Sequence, residues 1–341
     1  MFNRMTGAMV RSGAFAWVAG LLERMDREGP NLLRVLTYHR VEWNHVQPIP
    51  TPAITVSPDA FAAHMQLIQR HYHAVSADQV IDAVRGRGTL PPRSVLITFD
   101  DGYRDFRSQA WPVLKALGLP VVLFVPTAYP DQPGEGFWWD RLHHAVMHTS
   151  RHDSLETPAG RLSLRTVRER EKASLRLQQH AKAMRHAEAL DWVAALCQEL
   201  DVPSSPPAIL GWGELRELAS AGVTIGSHTR THPLLTRVSH VEARAEVAGA
   251  LRDLERELGT AVPILAYPAG AFDDAVVQIL QEEGYVLAFT TARGHNELAR
   301  AHPLKLRRVY VGPRSSPAVL RVQLMGRLTG PGRAYLRSSR G

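Results

Sequence analysis

Apolar and polar positions along the chain follow two different periods. Short continuous apolar runs, rich in valine, isoleucine and leucine, fall at residues 32–38, 94–99, 121–125, 223–226, 263–266, 285–289 and 306–311. Unbroken runs of that length suit strands buried on both faces in a parallel sheet. Between them lie stretches with helical spacing. Phe61, Met65 and Ile68 form one apolar face behind Ser57 and Pro58, which suit the N-cap and the first helical position. Further helices are predicted over 76–84, from Phe106 through Ala110, Val113 and Leu117, over 212–220, over 239–258 with Gly259 as the stop, and over 273–283. Strand, helix, strand at this spacing is a βαβ unit, so the sheet is parallel. The expected fold class is α/β, a distorted (β/α) barrel, with an open doubly wound sheet as the second choice.

One region breaks the rhythm. From about 141 to 200 the pattern is helical, but Leu164, Val167, Leu175, Leu177, Met184, Leu190 and Val193 are too irregularly spaced for one long coiled coil. It reads as an insertion of two or three helices. Residues 201–207, rich in proline and serine, return the chain to the main domain. Residues 12–22, with Phe15, Trp17, Val18, Leu21 and Leu22, form an apolar stretch too short to span a bilayer. No small-residue cleavage pattern precedes Glu23, Arg24 and Asp26, so no removable signal peptide is expected. The expected organisation is an amphipathic helix in 1–30 that packs on the domain or, second, rests on a membrane. The catalytic-type domain then covers 31–311, and a basic tail 312–341. The cytoplasm is the expected location, with membrane association as the alternative.

Composition narrows this only a little. A length of 341 residues holds a barrel of about 250 plus an insertion. The lone Cys197 excludes an internal disulfide and a cysteine-based zinc site. Net charge is +7, and residues 301–341 carry nine Lys/Arg and no Asp or Glu. Such a tail favours anionic partners (a membrane surface, a phosphate-linked carrier or nucleic acid), although a tail that merely keeps the protein soluble fits as well.

The apolar run at 94–99 ends in Asp100, Asp101 and Gly102. Two adjacent carboxylates there occupy the strand end where α/β folds place their chemistry. Their charge has to be offset by a cation or a shared proton. An Asp-Gly hairpin with two solvated acids is the competing explanation, but no alternating strand follows. The run at 223–226 leads into Ser227-His228-Thr229-Arg230-Thr231-His232-Pro233. His228 and His232 are four apart, so on one helical turn they share a face, within reach of one ion. Two imidazoles plus a carboxylate make the three-ligand set of a catalytic zinc site. Asp101 is the natural third ligand, which leaves Asp100 free as a base. His39 falls just past the end of the first strand, where a capping or surface histidine is the common outcome. Phe137, Trp138 and Trp139 fall at the strand-end rim, where stacking on a sugar competes with ordinary core packing.

Thr98-Phe99-Asp100-Asp101-Gly102, then Ser227-His228-Thr229 with His232, then Tyr267-Pro268-Ala269-Gly270, resemble the three ordered motifs of NodB-type polysaccharide deacetylases, carbohydrate esterase family four. The resemblance covers roughly 32–311 apart from the insertion. It implies a deformed (β/α) barrel and a divalent metal, Zn2+ first with Co2+ or Ni2+ as alternatives, on Asp101, His228 and His232. It also implies Asp100 as general base, the backbone N–H of Tyr267 as oxyanion donor, and hydrolysis of N-acetyl groups from a sugar. Two departures stand out. Residues 266–268 lack the arginine that orients the base in many members, and the late Leu-x-His motif that supplies the acid is missing. A branch resembling poly-N-acetylglucosamine deacetylases takes its acid from a Tyr-His segment on an early strand. Thr37-Tyr38-His39-Arg40 matches that pattern, so His39 is the expected acid, with His295 and His302 as fallbacks.

The implied substrate is an N-acetylated glycan of cell-envelope polysaccharide synthesis, or alternatively a lipid-carrier-linked monosaccharide acted on by a deacetylase or deformylase. Peripheral contact with an anionic membrane is a candidate partner interaction, and no nucleic acid is expected. A different class altogether, a non-catalytic protein binding a polyanion through its tail and insertion, would lack stoichiometric metal and show steep salt dependence.

Overall fold

The structure, a computed structural model, describes residues 30–42, 54–134, 136–203 and 209–325. The helix expected in 12–22 and the tail beyond 325 lie outside the described residues.

Seven strands follow in order: β1 Leu32–Tyr38, β2 Ser94–Phe99, β3 Val122–Val125, β4 Thr224–Ser227, β5 Ile264–Ala266, β6 Leu287–Arg293 and β7 Leu306–Tyr310. Each pairs in parallel with the next. The ring closes through Leu36↔Val309 and Thr37↔Tyr310 between β1 and β7. The sheet is therefore a closed barrel, and the open doubly wound alternative is excluded.

Alternation along the strands decides what each face meets. Leu33, Val35, Leu96, Val122, Phe124, Ile264, Ala266, Leu287, Phe289 and Leu306 belong to one buried cluster drawn from six of the seven strands. Side chains from strands on all sides of a barrel meet only in its interior. On β4 the interior position is Gly226, because a Cβ there would lie 2.7 Å from the Phe124 ring. The other phase, including Val95, Ile97, Phe99, Leu123 and Val125, faces outward and packs against Phe61, Met65 and Ile68.

The helices are α1 Pro58–His71, α2 Ala77–Val84, α3 Trp111–Ala116, α4 Trp138–His148, α5 Val167–Ala183, α6 His186–Glu199, α7 Trp212–Ser220, α8 His240–Leu258, α9 Asp274–Glu282 and α10 Pro317–Leu324. Their ends carry the sequence signals. Ser57 caps α1, Ser76 caps α2, and Gly259 closes α8 with a left-handed φ of 76°.

Two expectations are corrected. The insertion holds an antiparallel hairpin, Ser154–Thr157 with Gly160–Ser163, besides its helices. Leu155 and Leu162 point from that hairpin into a separate core with Phe137, Leu142, Val146, Leu177 and Val193. The domain also runs past 311: Leu320 and Leu324 of α10 lie in the main core, and Arg34 Nε donates to the Leu324 carbonyl.

Candidate active site

The carboxyl ends of the strands converge on a cavity of about 410 Å³. Barrel phase supplies most of its chemistry. His39 continues the interior row of β1, Asp100 that of β2 and His228 that of β4, while Arg308 is the next interior position after Leu306 on β7. An extended chain cannot aim Asp100 and Asp101 to the same side. The backbone turns between them: Asp101 has φ 76° and Gly102 φ 70°, so both carboxylates reach the cavity.

His228 and His232 meet, but not on a helix. Thr229 and His232 have φ 65° and 61°, a conformation no α-helix contains, and Thr229 Oγ1 accepts the His232 N–H at 3.1 Å. The fourfold spacing thus produces proximity through a left-handed loop, which corrects the expected helical turn. Asp101 Oδ1 lies 3.5 Å from His228 Nε2 and 3.6 Å from His232 Nε2. Tetrahedral zinc with bonds of 2.0–2.1 Å sets its ligand atoms about 3.4 Å apart, so the spacing fits such an ion. His228 Nδ1 lies 2.6 Å from the Ala266 carbonyl, which can only accept, so Nε2 keeps its lone pair toward the site. Asp101 is buried, and burial followed by the nearby Asp100 and Asp140 pushes its carboxyl well above the usual range. An ionised Asp101 therefore calls for a cation. Among the described residues, these three side chains form the group that could hold a metal ion.

Asp100 has a partner that the sequence did not reveal. Arg308 grips it with Nη1 on Oδ1 and Nη2 on Oδ2, both at 2.8 Å, and both residues are 2% exposed. Burial alone would raise the Asp100 pKa. Arg308, then His228 and His39, more than reverse this and hold it well below the ordinary carboxylate value. The arginine missing from residues 266–268 is thus supplied from β7. The signal was its phase: an arginine two positions from an interior leucine.

His39 Nε2 lies 3.8 Å from Asp100 Oδ2. Burial lowers its pKa to about 4, although Asp100 pulls the other way. His295 and His302 stand elsewhere: His295 Nε2 bonds the Gln323 carbonyl, and His302 Nδ1 accepts the Leu304 N–H.

Tyr267 borders the cavity, but its N–H donates to the Phe289 carbonyl at 3.0 Å and its hydroxyl to the Leu304 carbonyl at 2.9 Å. Its amide is part of the β5–β6 ladder and is not available as an oxyanion donor, which corrects that expectation. Two residues on, Ala269 lines the cavity with φ 50°, and its N–H has no acceptor among the described residues.

The insertion builds the opposite wall. Trp138 and Trp139 of α4, Leu175, Gln178 and Lys182 of α5, and Met184 and His186 beyond it all face the cavity. Trp139 is buried, and its ring centroid lies 4.7 Å from that of His232 with the planes tilted by 53°. Its indole N–H donates to the Tyr103 hydroxyl at 2.9 Å, which donates to Asp140 Oδ2 at 2.9 Å. The aromatics therefore serve both as core and as the edge of the site.

Comparison with known proteins places the chain. Residues 87–288 match the family described as polysaccharide deacetylase. A stretch of 69 residues is 36% identical to the poly-beta-1,6-N-acetyl-D-glucosamine N-deacetylase of Escherichia coli K12. That match covers 20% of this chain and only 10% of the length of that relative. Among solved structures, the deacetylase PplD of Streptococcus pyogenes, in complex with acetate, superposes with a TM-score of 0.60 at 21% identity, over 87% of this chain and 99% of that one. IcaB of Ammonifex degensii gives 0.57 at 20% identity, over 88% and 99%. At these identities the likeness is one of barrel architecture.

Proposed function

The chain belongs to the polysaccharide deacetylase family, and from that premise we propose that it hydrolyses N-acetyl groups from an amino sugar of a glycan. The carrying observation is the spacing of Asp101 Oδ1 from both imidazoles, 3.5 and 3.6 Å, beside a second aspartate fixed by arginine. Asp101, His228 and His232 would hold a divalent ion, zinc first. Such an ion polarises an acyl oxygen and brings the pKa of bound water toward ~7.

The protein's own groups supply the rest. Arg308 fixes the Asp100 carboxylate in one orientation, so its oxygens meet the attacking water without reorganisation. Asp100 accepts a proton from that water. A carboxylate held this low does not keep the proton, and His39, 3.8 Å away with a pKa of about 4, is the more basic of the two. His39 then gives the proton to the departing amine, which would otherwise leave as an anion. Ala269 lines the cavity, and its N–H, without an acceptor among the described residues, serves as donor to the oxygen that gains charge. One such donor is typically worth roughly 3 kcal/mol. The insertion wall, with Trp138 and Trp139, excludes water and meets the apolar face of the sugar ring.

An N-acetylated glycan is the first substrate class, and a carrier-linked precursor sugar is the second, favoured by the largely apolar wall of Ile54, Trp138, Leu175, Met184 and Leu234. Mass spectrometry of penta-N-acetylchitopentaose after incubation with zinc-loaded protein tests the first. Loss of acetyl units that requires Asp100 supports the proposal; an intact oligomer, with a carrier-linked N-acetyl sugar also intact, ends it.

A further inference from the structure

The cavity holds two cations that the hydrolytic chemistry does not use. Arg308 is neutralised by Asp100. Lys182, near the end of α5, and Arg237, in the turn Leu235–Arg237 after β4, line the same cavity, and neither has an ion pair among the described residues. Other arginines have ion pairs, Arg104, Arg107, Arg230, Arg244 and Arg256 among them. Besides Asp100 and Asp101, one carboxylate, Glu171, lines the cavity. It does not neutralise Lys182, because the two are eleven residues apart on one helix, about 16 Å along its axis. Glu171, Leu175, Gln178 and Lys182 are spaced 4, 3 and 4 along α5, so they form a single stripe facing the cavity. The cation stands at the end of that stripe close enough to the metal-ligating set for its charge to be felt at Asp101 and His232.

We propose that Lys182 and Arg237 form a subsite for an anionic group, a phosphate or a carboxylate, carried by the substrate next to the acylamino group that is hydrolysed. This deepens the deacetylase assignment and rests on it for the identity of the neighbouring group. A neutral glycan offers neither cation an anionic group of its own. A sugar bearing a phosphoryl or carboxyl substituent places charge where the cavity already holds its complement, with Gln178 and His186 as further donors along the same wall. The ring and its acyl group then occupy the space between the stripe and the Asp–His–His set.

Three probes separate the sources: N-acetylglucosamine, N-acetylglucosamine 1-phosphate and N-acetylmuramic acid. Binding is measured on metal-free protein by quenching of tryptophan fluorescence, so that a phosphate seated on zinc cannot mimic the subsite. At least one anionic sugar is expected to bind about tenfold more tightly than the neutral one, the scale of a single charge-assisted contact. Preference for the phosphate identifies a phosphoryl substituent, and preference for the muramic acid a carboxyl group. Lys182→Met keeps the aliphatic stem and is expected to erase most of that ratio, Lys182→Glu to invert it, and Arg176→Met, on the exposed outer face of α5, to leave it as it was. Equal affinity for all three sugars, or a ratio that survives both Lys182→Met and Arg237→Met, overturns the proposal. Because binding is read without turnover, absent hydrolysis of every sugar counts against the deacetylase assignment alone.

Discussion

Replacing Arg308 with methionine removes the cation facing Asp100 and strands a buried carboxylate. Both side chains are 2% exposed and joined by two 2.8 Å bonds, so solvent cannot take the arginine's place. Deleting one member of a buried pair costs roughly 3–5 kcal/mol. For 341 residues, an unfolding entropy of about 2.1 cal/mol/K per residue turns that into a fall in melting temperature of about 4–7 °C. The pH dependence has a definite sign. In the wild type the Asp100 pKa lies below its unfolded value, because Arg308 outweighs burial. That contribution is present above about pH 4 and is lost as pH falls through the folded pKa. In the variant burial prevails and the folded pKa rises above the unfolded one. Its deficit is therefore largest at alkaline pH and shrinks as acid protonates Asp100. The assay is thermal unfolding of metal-free protein at pH 8 and pH 5. Adding Asp100→Asn to Arg308→Met should recover much of the loss at pH 8, since neither charge remains. An unchanged melting temperature for Arg308→Met at pH 8, or a double variant no better than the single, refutes this account of the pair.

Other expectations follow from the same geometry. Asp101→Asn and His228→Ala should lose zinc on dialysis, whereas Asp100→Asn keeps it by metal analysis and loses turnover by about a hundredfold or more; normal hydrolysis by Asp100→Asn removes the base from the mechanism. His39→Ala should retain the metal by metal analysis and lose turnover by about a hundredfold or more, and normal hydrolysis by that variant would move the acid elsewhere. In metal-free protein, burial holds His39 and His64 to about 4 and lowers His228 and His232 as well. Folded values below the unfolded ~6.5 mean stability that is complete above that pH and lost toward pH 4, at most about 1.4 kcal/mol per pH unit for each group. Urea unfolding at pH 7 and pH 5 reads this, and equal midpoints would contradict it.

Much of this molecule was legible in its apolar runs, because a strand buried on both faces has no freedom to be polar. All seven barrel strands overlap such runs, although β6 continues four residues past its run, to Arg293. Closure was not legible: the pairing of Leu36 with Val309 joins opposite ends of the chain, and nothing local encodes it. The hairpin at 154–163 was hidden by its helix-rich surroundings, although Leu155 and Leu162 flank a Pro-Ala-Gly turn in the two-residue phase of a strand. At the site, Asp100, Asp101, His228 and His232 were found by residue type and spacing. Arg308 was not, because Arg307 and Arg308 look alike until the barrel assigns one to solvent and the other to the interior. The Tyr267 amide was expected to be free for a similar reason: a backbone N–H carries no sequence mark, and only the ladder separates the bonded Tyr267 amide from that of Ala269, which has no acceptor among the described residues.

The distribution of backbone strain bears on whether this constellation is a working site or a relic in a protein that binds polyanions. Seven non-glycine residues among those described have positive φ, and Asp101, Thr229, His232 and Ala269 are four of them. All four belong to the strand-end loops that carry the Asp–His–His set and the free amide. Each left-handed residue costs on the order of 1 kcal/mol or more, so the site stores about 4 kcal/mol at least. Binding through a basic tail gains nothing from that expense, and relaxing any of these positions would stabilise such a protein. What the strain does achieve is specific: it turns Asp101 beside Asp100, brings His232 back toward His228, and leaves the N–H of cavity-lining Ala269 without an acceptor among the described residues. A backbone held against its preference in three separate loops, all converging on one spot, supports selection for chemistry at that spot.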